Sequence, residues 1–397
     1  MLIDAQNYKQ KKGETGEIGG ASGRKILVLF GTRPEAIKLA PVILRLRTDP
    51  SFRTVVVSSS QHTDLLTPFL NIFGLGIDHD LRVMTADQTP NQVAARVLAS
   101  LDPILEKEKP DVVLVQGDTT TAMAGALAAF NRRIPVGHVE AGLRSGDPLS
   151  PFPEEMNRRV VSQIATFHFA ATEKNRDNLL QEKIESDKIF VTGNPVVDAL
   201  QFILANSAPG GKIKNLIEQT GNHKRLLLTT HRRESFGEAM SENLIELGRF
   251  VEKRRDVCLI FPVHPNPQVR RVTERILSGR ERVHLLEPLD YIDFITLMRE
   301  SWMIVSDSGG VQEEAPSLGK PLLVLRENTE RPEALSSGVA KLVGGDAKTL
   351  AEMLETNYND ETWINSVKEV ENPFGKGDSA ERIVGVLGEQ LTVSSEQ

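Results

Sequence analysis

The chain of 397 residues is 40% hydrophobic and 25% charged, long enough to bury the cores of two ordinary domains. Its net charge of −7, with the signs interspersed, excludes the basic footprint of a nucleic-acid binder, and no apolar run approaches the ~20 residues that span a bilayer, so neither nucleic acid nor membrane is an expected partner. The single cysteine, Cys258, excludes an internal disulfide framework and a cysteine-based zinc site, and points to a reducing, cytoplasmic compartment.

Residues 1–23 are polar and glycine-rich, with too little apolar surface to offset chain entropy, and predict a disordered tail. Ile26 to Phe30 predicts a buried strand that runs through Gly31, Thr32, Arg33, Pro34 and Glu35 into an amphipathic helix carrying Ile37, Leu39, Ala40, Ile43 and Leu44. Pro34 suits the first turn of that helix, where its missing N–H would have no partner. Arg33 and Lys38 thus sit at or near a strand-to-helix turn, where backbone N–H groups favour anions. Solvated surface charges are the competing explanation for both.

A second strand, Thr54 to Ser58, leads into Gln61, His62, Thr63 and Asp64 and a helical stretch from Leu65 to Phe73. A helix over Pro90 to Lys107 precedes a strand from Asp111 to Gln116, and Gly117-Asp118-Thr119-Thr120-Thr121 then opens a helix from Ala122 to Phe130. Asp118 is thereby placed at the carboxyl end of a strand, where open α/β sheets bind ligands, although the same position also suits a helix N-cap. Ile134 to Val139 predicts a strand ending in Glu140, followed by a loop rich in Gly and Pro. Next comes a helix start in which Glu154 and Arg158, four positions apart, share a face. Phe167 to Ala170 and Ile189 to Val191 continue the alternation of strand and helix, which predicts a parallel, doubly wound sheet.

A boundary near Gly193-Asn194-Pro195 divides a domain over 24–194 from one over 195–378. In the second half Leu226 to Thr229 runs into His231, Cys258 to Phe261 into His264, Ile304 to Ser306 into Asp307, and Leu322 to Leu325 into Arg326; Val283 to Leu286 is a further strand. The expected architecture is α/β, two Rossmann-like domains with a ligand cleft between them. Ser308, Gly309 and Gly310 form the best phosphate-loop candidate, because glycines let backbone N–H groups approach phosphate oxygens and a following helix aims its positive end at them. Glu314, one turn in, is placed to accept hydrogen bonds from a ribose diol, while a purely structural turn is the alternative. Neither a GxxxxGK[ST] nor a GxGxxG fingerprint is present, which argues against an NTPase and a nicotinamide enzyme. His231 and His264 lack metal-site spacing, so no metal is expected.

The segments FGTRPEAIK (30–38), GDTTT (117–121), GHVEAGLRSGD (137–147), HRRESFG (231–237), PVHPNP (262–267), DSGGVQEEAPSLGKP (307–321) and TERPEA (329–334), with Pro153, Glu154, Glu155, Asn157 and Arg158 between them, resemble the non-hydrolysing UDP-N-acetylglucosamine 2-epimerases. The resemblance implies the GT-B architecture, with a helix over 379–390 packing back on the first domain, and a homodimer without a redox cofactor that acts on a UDP-sugar. It implies inversion at C2 through elimination of UDP to 2-acetamidoglucal and re-addition on the other face. Residue by residue, it makes Asp118, Glu140 and Glu154 the proton-transfer acids. Arg33, Lys38 and His231 become substrate contacts, with His231 stabilising the departing diphosphate, and Arg158 an arginine near the active centre. Ser308, Gly309 and Gly310 become the pyrophosphate loop, Glu314 the ribose contact and Arg331 a further nucleotide-site arginine. Phe294 packs on uracil and the backbone at Leu289 touches the base. Thr63 and Asp64 stand where many bacterial members carry Arg and Glu at an activator site. The alternatives are a GT-B glycosyltransferase, a hydrolysing relative that releases UDP and N-acetylmannosamine, and a nucleotide-sugar sensor.

Overall fold

A computed structural model of the chain describes residues 23–59, 69–85, 87–230 and 238–393. Nearly all of the expected tail, the Gln61 to Asp64 segment and His231 with the rest of its motif lie outside the described residues. The chain divides into two compact units, Met1–Asn206 with Phe374–Gln397, and Ser207–Pro373.

In the first unit β1 (Arg24–Phe30) leads to α1 (Arg33–Thr48), β2 (Phe52–Ser58), β3 (His79–Asp80), α2 (Pro90–Glu108) and β4 (Val112–Gln116). Then follow α3 (Thr120–Asn131), β5 (Val136–Ala141), α4 (Glu154–Ile164), β6 (Phe167–Ala170), α5 (Glu173–Gln181), β7 (Ile189–Val191) and α6 (Pro195–Asn206). Among the described residues the seven strands form one sheet in the order β3-β2-β1-β4-β5-β6-β7, with every pair parallel. Central strands covered on both faces read as continuous apolar runs, and Val112 to Val115 are all fully buried. Leu27, Leu29, Val113 and Val115 join Leu101, Leu105, Ala122 and Ala126 of the helices in one core.

The second unit runs α7 (Gly211–Gln219), β8 (Lys224–Thr229), α8 (Glu238–Lys253), β9 (Val257–Pro262), α9 (Pro267–Leu277), β10 (Val283–Leu286) and α10 (Tyr291–Glu300). It continues with β11 (Met303–Ser306), α11 (Gly309–Glu314), β12 (Leu322–Val324), α12 (Pro332–Ser336), β13 (Ala340–Leu342), α13 (Ala347–Asn359) and α14 (Thr362–Val367). Its strands are again all parallel, in the order β10-β9-β8-β11-β12-β13. Both units therefore have the Rossmann order, in which the direction of winding reverses between the first and the fourth strand. The two doubly wound α/β units match the fold class expected from the sequence.

The last helix, α15 (Ser379–Val393), belongs to the first unit and packs on α1 and α6. Its apolar face buries Ile383, Val384, Leu387 and Leu391. Asp198 of α6 caps it from outside, accepting from the Ser379 N–H at 3.3 Å and the Ala380 N–H at 2.9 Å, and burial pushes the Asp198 carboxyl up to about 6. Gly193, at φ +84°, lies against this turn: a Cβ there would sit 2.6 Å from Ser379 Oγ and 3.2 Å from the Phe374 carbonyl, so only glycine fits. Among the described residues no helix is long and apolar enough to cross a membrane.

Candidate active site

In a parallel sheet wound this way, the loops at the carboxyl ends of the strands flanking the reversal point spread apart and leave a crevice. In the first unit these are the turns after β1 and β4, which carry Arg33 and Asp118. In the second they are the turns after β8 and β11, and the latter carries Ser308, Gly309 and Gly310. Both sequence-derived clusters thus fall at the place where this topology binds ligands.

Glu140 is the most enclosed of the three candidate acids, 7% exposed. It lies inside β5 rather than beyond it, and has a left-handed φ of +64° at the point where the register with β6 slips between Val139 and Ala141. For a non-glycine residue that conformation is unfavourable, and such strain concentrates at functional positions. The Glu140 carboxylate is held by Lys38 Nζ on one oxygen and by the Gln116 amide on the other, and Asn194 Nδ2 donates to it at 3.0 Å. Lys38 is itself only 8% exposed, so the pair is largely dry and each charge depends on the other.

Asp118 occupies the turn after β4. It is not the N-cap of α3: that is Thr119, whose hydroxyl accepts from the Ala122 N–H at 3.0 Å. The Asp118 carboxylate is left to the Arg158 guanidinium, which donates Nε–H at 2.9 Å and lies 2.6 Å away through Nη2. Asn157 Nδ2 donates to the Asp118 carbonyl at 2.8 Å. Arg158 does not pair with Glu154, although their spacing puts both on one helix face. It pairs with Asp118 and, at 3.1 Å, with the fully buried Glu155, because the turn after β4 lies within reach of its guanidinium. Glu154 is half-buried, and among the described residues neither it nor Arg33 has an ion-pair partner.

Beneath this turn lies His138 of β5, with no exposed surface. Burial pushes its imidazole down to about 3, so the ring is neutral. Its Nε2 stands 2.8 Å from the Gly117 carbonyl, which only accepts, so Nε2 carries the proton and supports Gly117 at φ +69° beside Asp118.

In the second unit Ser308 precedes α11 without capping it through its side chain, and Gly309 and Gly310 form the first turn. α11 is only six residues long before Pro316 enters a 3-10 turn, so the macrodipole contribution expected from the sequence is small. The positive charge comes from elsewhere. A Cβ on Gly309 would lie 2.6 Å from Arg331 Nη1, so the absent side chain makes room for that guanidinium beside the loop. Arg331 is held from behind by Glu313 at 2.9 Å and Glu330 at 3.2 Å. Glu314, 6% exposed, accepts from the Tyr291 hydroxyl, which ties the start of α10, with Leu289 and half-buried Phe294, to this loop.

The structure brings together Lys38 with Glu140, Asp118 with Arg158, and Gly309 with Arg331. Sequence reasoning missed Gln116, Asn194 and His138, all buried polar residues on or beside the site. The signal present was a polar residue closing an apolar strand, as in Val-Val-Leu-Val-Gln.

Comparison with known proteins follows the same lines. The family model described as UDP-N-acetylglucosamine 2-epimerase matches residues 44–388. The UDP-N-acetylglucosamine 2-epimerase of Salmonella typhimurium is 46% identical over 368 residues, covering 91% of this chain and 98% of its own. That of Bacillus subtilis is 45% identical over 363 residues, covering 91% and 94%. Among solved structures, UDP-GlcNAc 2-epimerase from Neisseria meningitidis bound to UDP-GlcNAc superposes with a TM-score of 0.85 at 43% identity, covering 92% of this chain and 100% of that one. The Methanocaldococcus jannaschii enzyme in complex with UDP-GlcNAc and UDP gives 0.78 at 34% identity, covering 92% and 99%. Sequence and overall structure agree: the chain belongs to the UDP-N-acetylglucosamine 2-epimerase family of isomerases.

Proposed function

We propose that the chain interconverts UDP-N-acetylglucosamine and UDP-N-acetylmannosamine by inverting C2 without releasing free sugar. The C2 hydrogen is not next to a carbonyl, so simple deprotonation is very slow. Elimination avoids that barrier: a base takes the C2 proton, the C1–O bond breaks, and its electron pair leaves with UDP. The product, 2-acetamidoglucal, then regains UDP at C1 and a proton on the opposite face of C2. This route needs carboxylates that give and take protons and a cationic cradle for the leaving diphosphate.

In this reading Asp118, Glu140 and Glu154 move the protons, Arg158 orients Asp118, and Arg33 and Lys38 contact the sugar nucleotide. Ser308, Gly309, Gly310 and Arg331 hold the diphosphate, with His231 stabilising its developing charge. Glu314 takes the ribose, and Phe294 and the Leu289 backbone take the uracil. The protein is a cytoplasmic homodimer, as its family resemblance implies. The observation that carries the reading is the pair of acids at neighbouring strands, Asp118 in the turn after β4 and Glu140 in β5, each beside a buried cation, Arg158 for Asp118 and Lys38 for Glu140.

Incubation with UDP-N-acetylglucosamine in deuterated water tests it. Deuterium at C2 together with UDP-N-acetylmannosamine is expected. Free N-acetylmannosamine with UDP would make the chain a hydrolysing enzyme, and unchanged sugar nucleotide would make it a transferase or a sensor.

A further inference from the structure

One side chain joins the two turns that flank the reversal point of the first unit. Glu35, in the first turn of α1, is 1% exposed. Its Oε2 accepts from the Gly31 N–H at 3.0 Å, the Thr32 N–H at 2.7 Å and the Thr32 hydroxyl at 2.8 Å. Its Oε1 reaches across 84 positions of sequence to accept the Thr119 hydroxyl at 2.7 Å. Because the Thr119 oxygen already accepts from Ala122 N–H, its one proton is committed to Glu35. The carboxylate is therefore bonded on one side to the turn that carries Arg33 and on the other to the residue that follows Asp118.

Helix capping alone does not account for this. The same box occurs at the start of α2, where Gln92 accepts from the Thr89 N–H at 2.8 Å from an exposed position. The local job thus needs neither a charge nor burial. At α1 the chain instead keeps a carboxylate in the interior, where burial pushes it up to about 7 although all four donors pull it down.

We propose that Glu35, acting through Thr119, is a positioning residue that fixes Asp118 relative to the Arg33 turn. This rests on the assignment of Asp118 to proton transfer made above. Displacing a reacting group by about 1 Å costs on the order of 10²-fold in rate, so a lost tether registers in turnover.

The test is steady-state epimerisation of UDP-N-acetylglucosamine by folded Thr119→Val, Thr119→Ser and Glu35→Ala, with melting curves alongside. Of the two turns Thr119→Val releases the Asp118 side, and the α3 cap lost with the same hydroxyl is read in the melting curve: kcat is expected to fall roughly 10- to 10²-fold with KM within about twofold. Thr119→Ser keeps the hydroxyl and is expected to restore kcat to within about threefold. Glu35→Ala frees both turns, lowering kcat and raising KM together. A merely structural contact would lower the melting temperature of Thr119→Val and leave the kcat of the folded enzyme unchanged, which overturns the proposal. If Asp118→Asn is impaired while Thr119→Val is not, only the tether is lost. If Asp118→Asn is also fully active, the site reading falls and takes the tether with it.

Discussion

The two units share a strand order but make the crevice at its reversal point from different materials. In the first, the turns after β1 and β4 are held by side chains: Glu35 to Thr119, Lys38 to Glu140 and Arg158 to Asp118. In the second, the turn after β11 is backbone, with Gly309 leaving room for a single guanidinium from Arg331. Atoms that exchange protons have to be placed individually, and interlocking buried charges do so at the cost of desolvation. A diphosphate needs only N–H groups and positive charge at the right height, for which glycine and one braced arginine suffice.

If that contrast is sound, the first crevice should tolerate the loss of a side chain badly and the second should tolerate an added one well. Lys38→Met removes the buried cation bonded to Glu140, and is expected to cost about 3–5 kcal/mol in urea unfolding. A loss below ~1 kcal/mol would mean that water reaches the pair and that the first site is less interlocked than described. Asp118→Asn preserves shape, and as a proton-transfer group its loss should lower turnover by on the order of 10²-fold or more. Full turnover in the folded variant would reduce Asp118 to the partner of Arg158. Gly309→Ala is expected to be mild for folding, under ~1 kcal/mol, because the atom in its way is the end of a flexible side chain. Its effect should appear as a several-fold higher KM for the UDP-sugar, roughly, with kcat nearly kept. A large fall in stability would show that Arg331 cannot move, and so that the second crevice is as rigid as the first.

Much of the fold is legible in the sequence because central parallel strands must be apolar on both faces. Phe167–Ala170, buried along its whole length, falls where its composition predicts. Asp118, Glu140 and the glycine loop are legible because each stands at the carboxyl end of such a strand, and Glu154 because it opens a helix. What stays hidden depends on partners far apart in sequence. Lys38 and Glu140 are 102 positions apart, and no local pattern announces that one neutralises the other. The left-handed turn of the backbone at Glu140 is imposed by the register slip against β6. The choice between Asp118 and Thr119 as N-cap is a one-residue matter that propensities do not separate, since both side chains accept well. Helical spacing offers Arg158 a neighbour on its own helix, but the turn after β4 supplies a better one. Glu35 is visible as the fourth residue of a Thr-x-x-Glu box, though nothing in that box reveals its burial or its second partner.

Placing α15 in the first unit has a temporal consequence. The ribosome makes α1 and α6 early, yet the helix that covers them with Ile383, Val384 and Leu387 emerges only after all of Ser207–Pro373 has been synthesised. Until then a stripe of oily surface on the nascent amino-terminal half stays open to chaperones, and a message truncated anywhere in the second unit would yield a chain whose first half is never sealed.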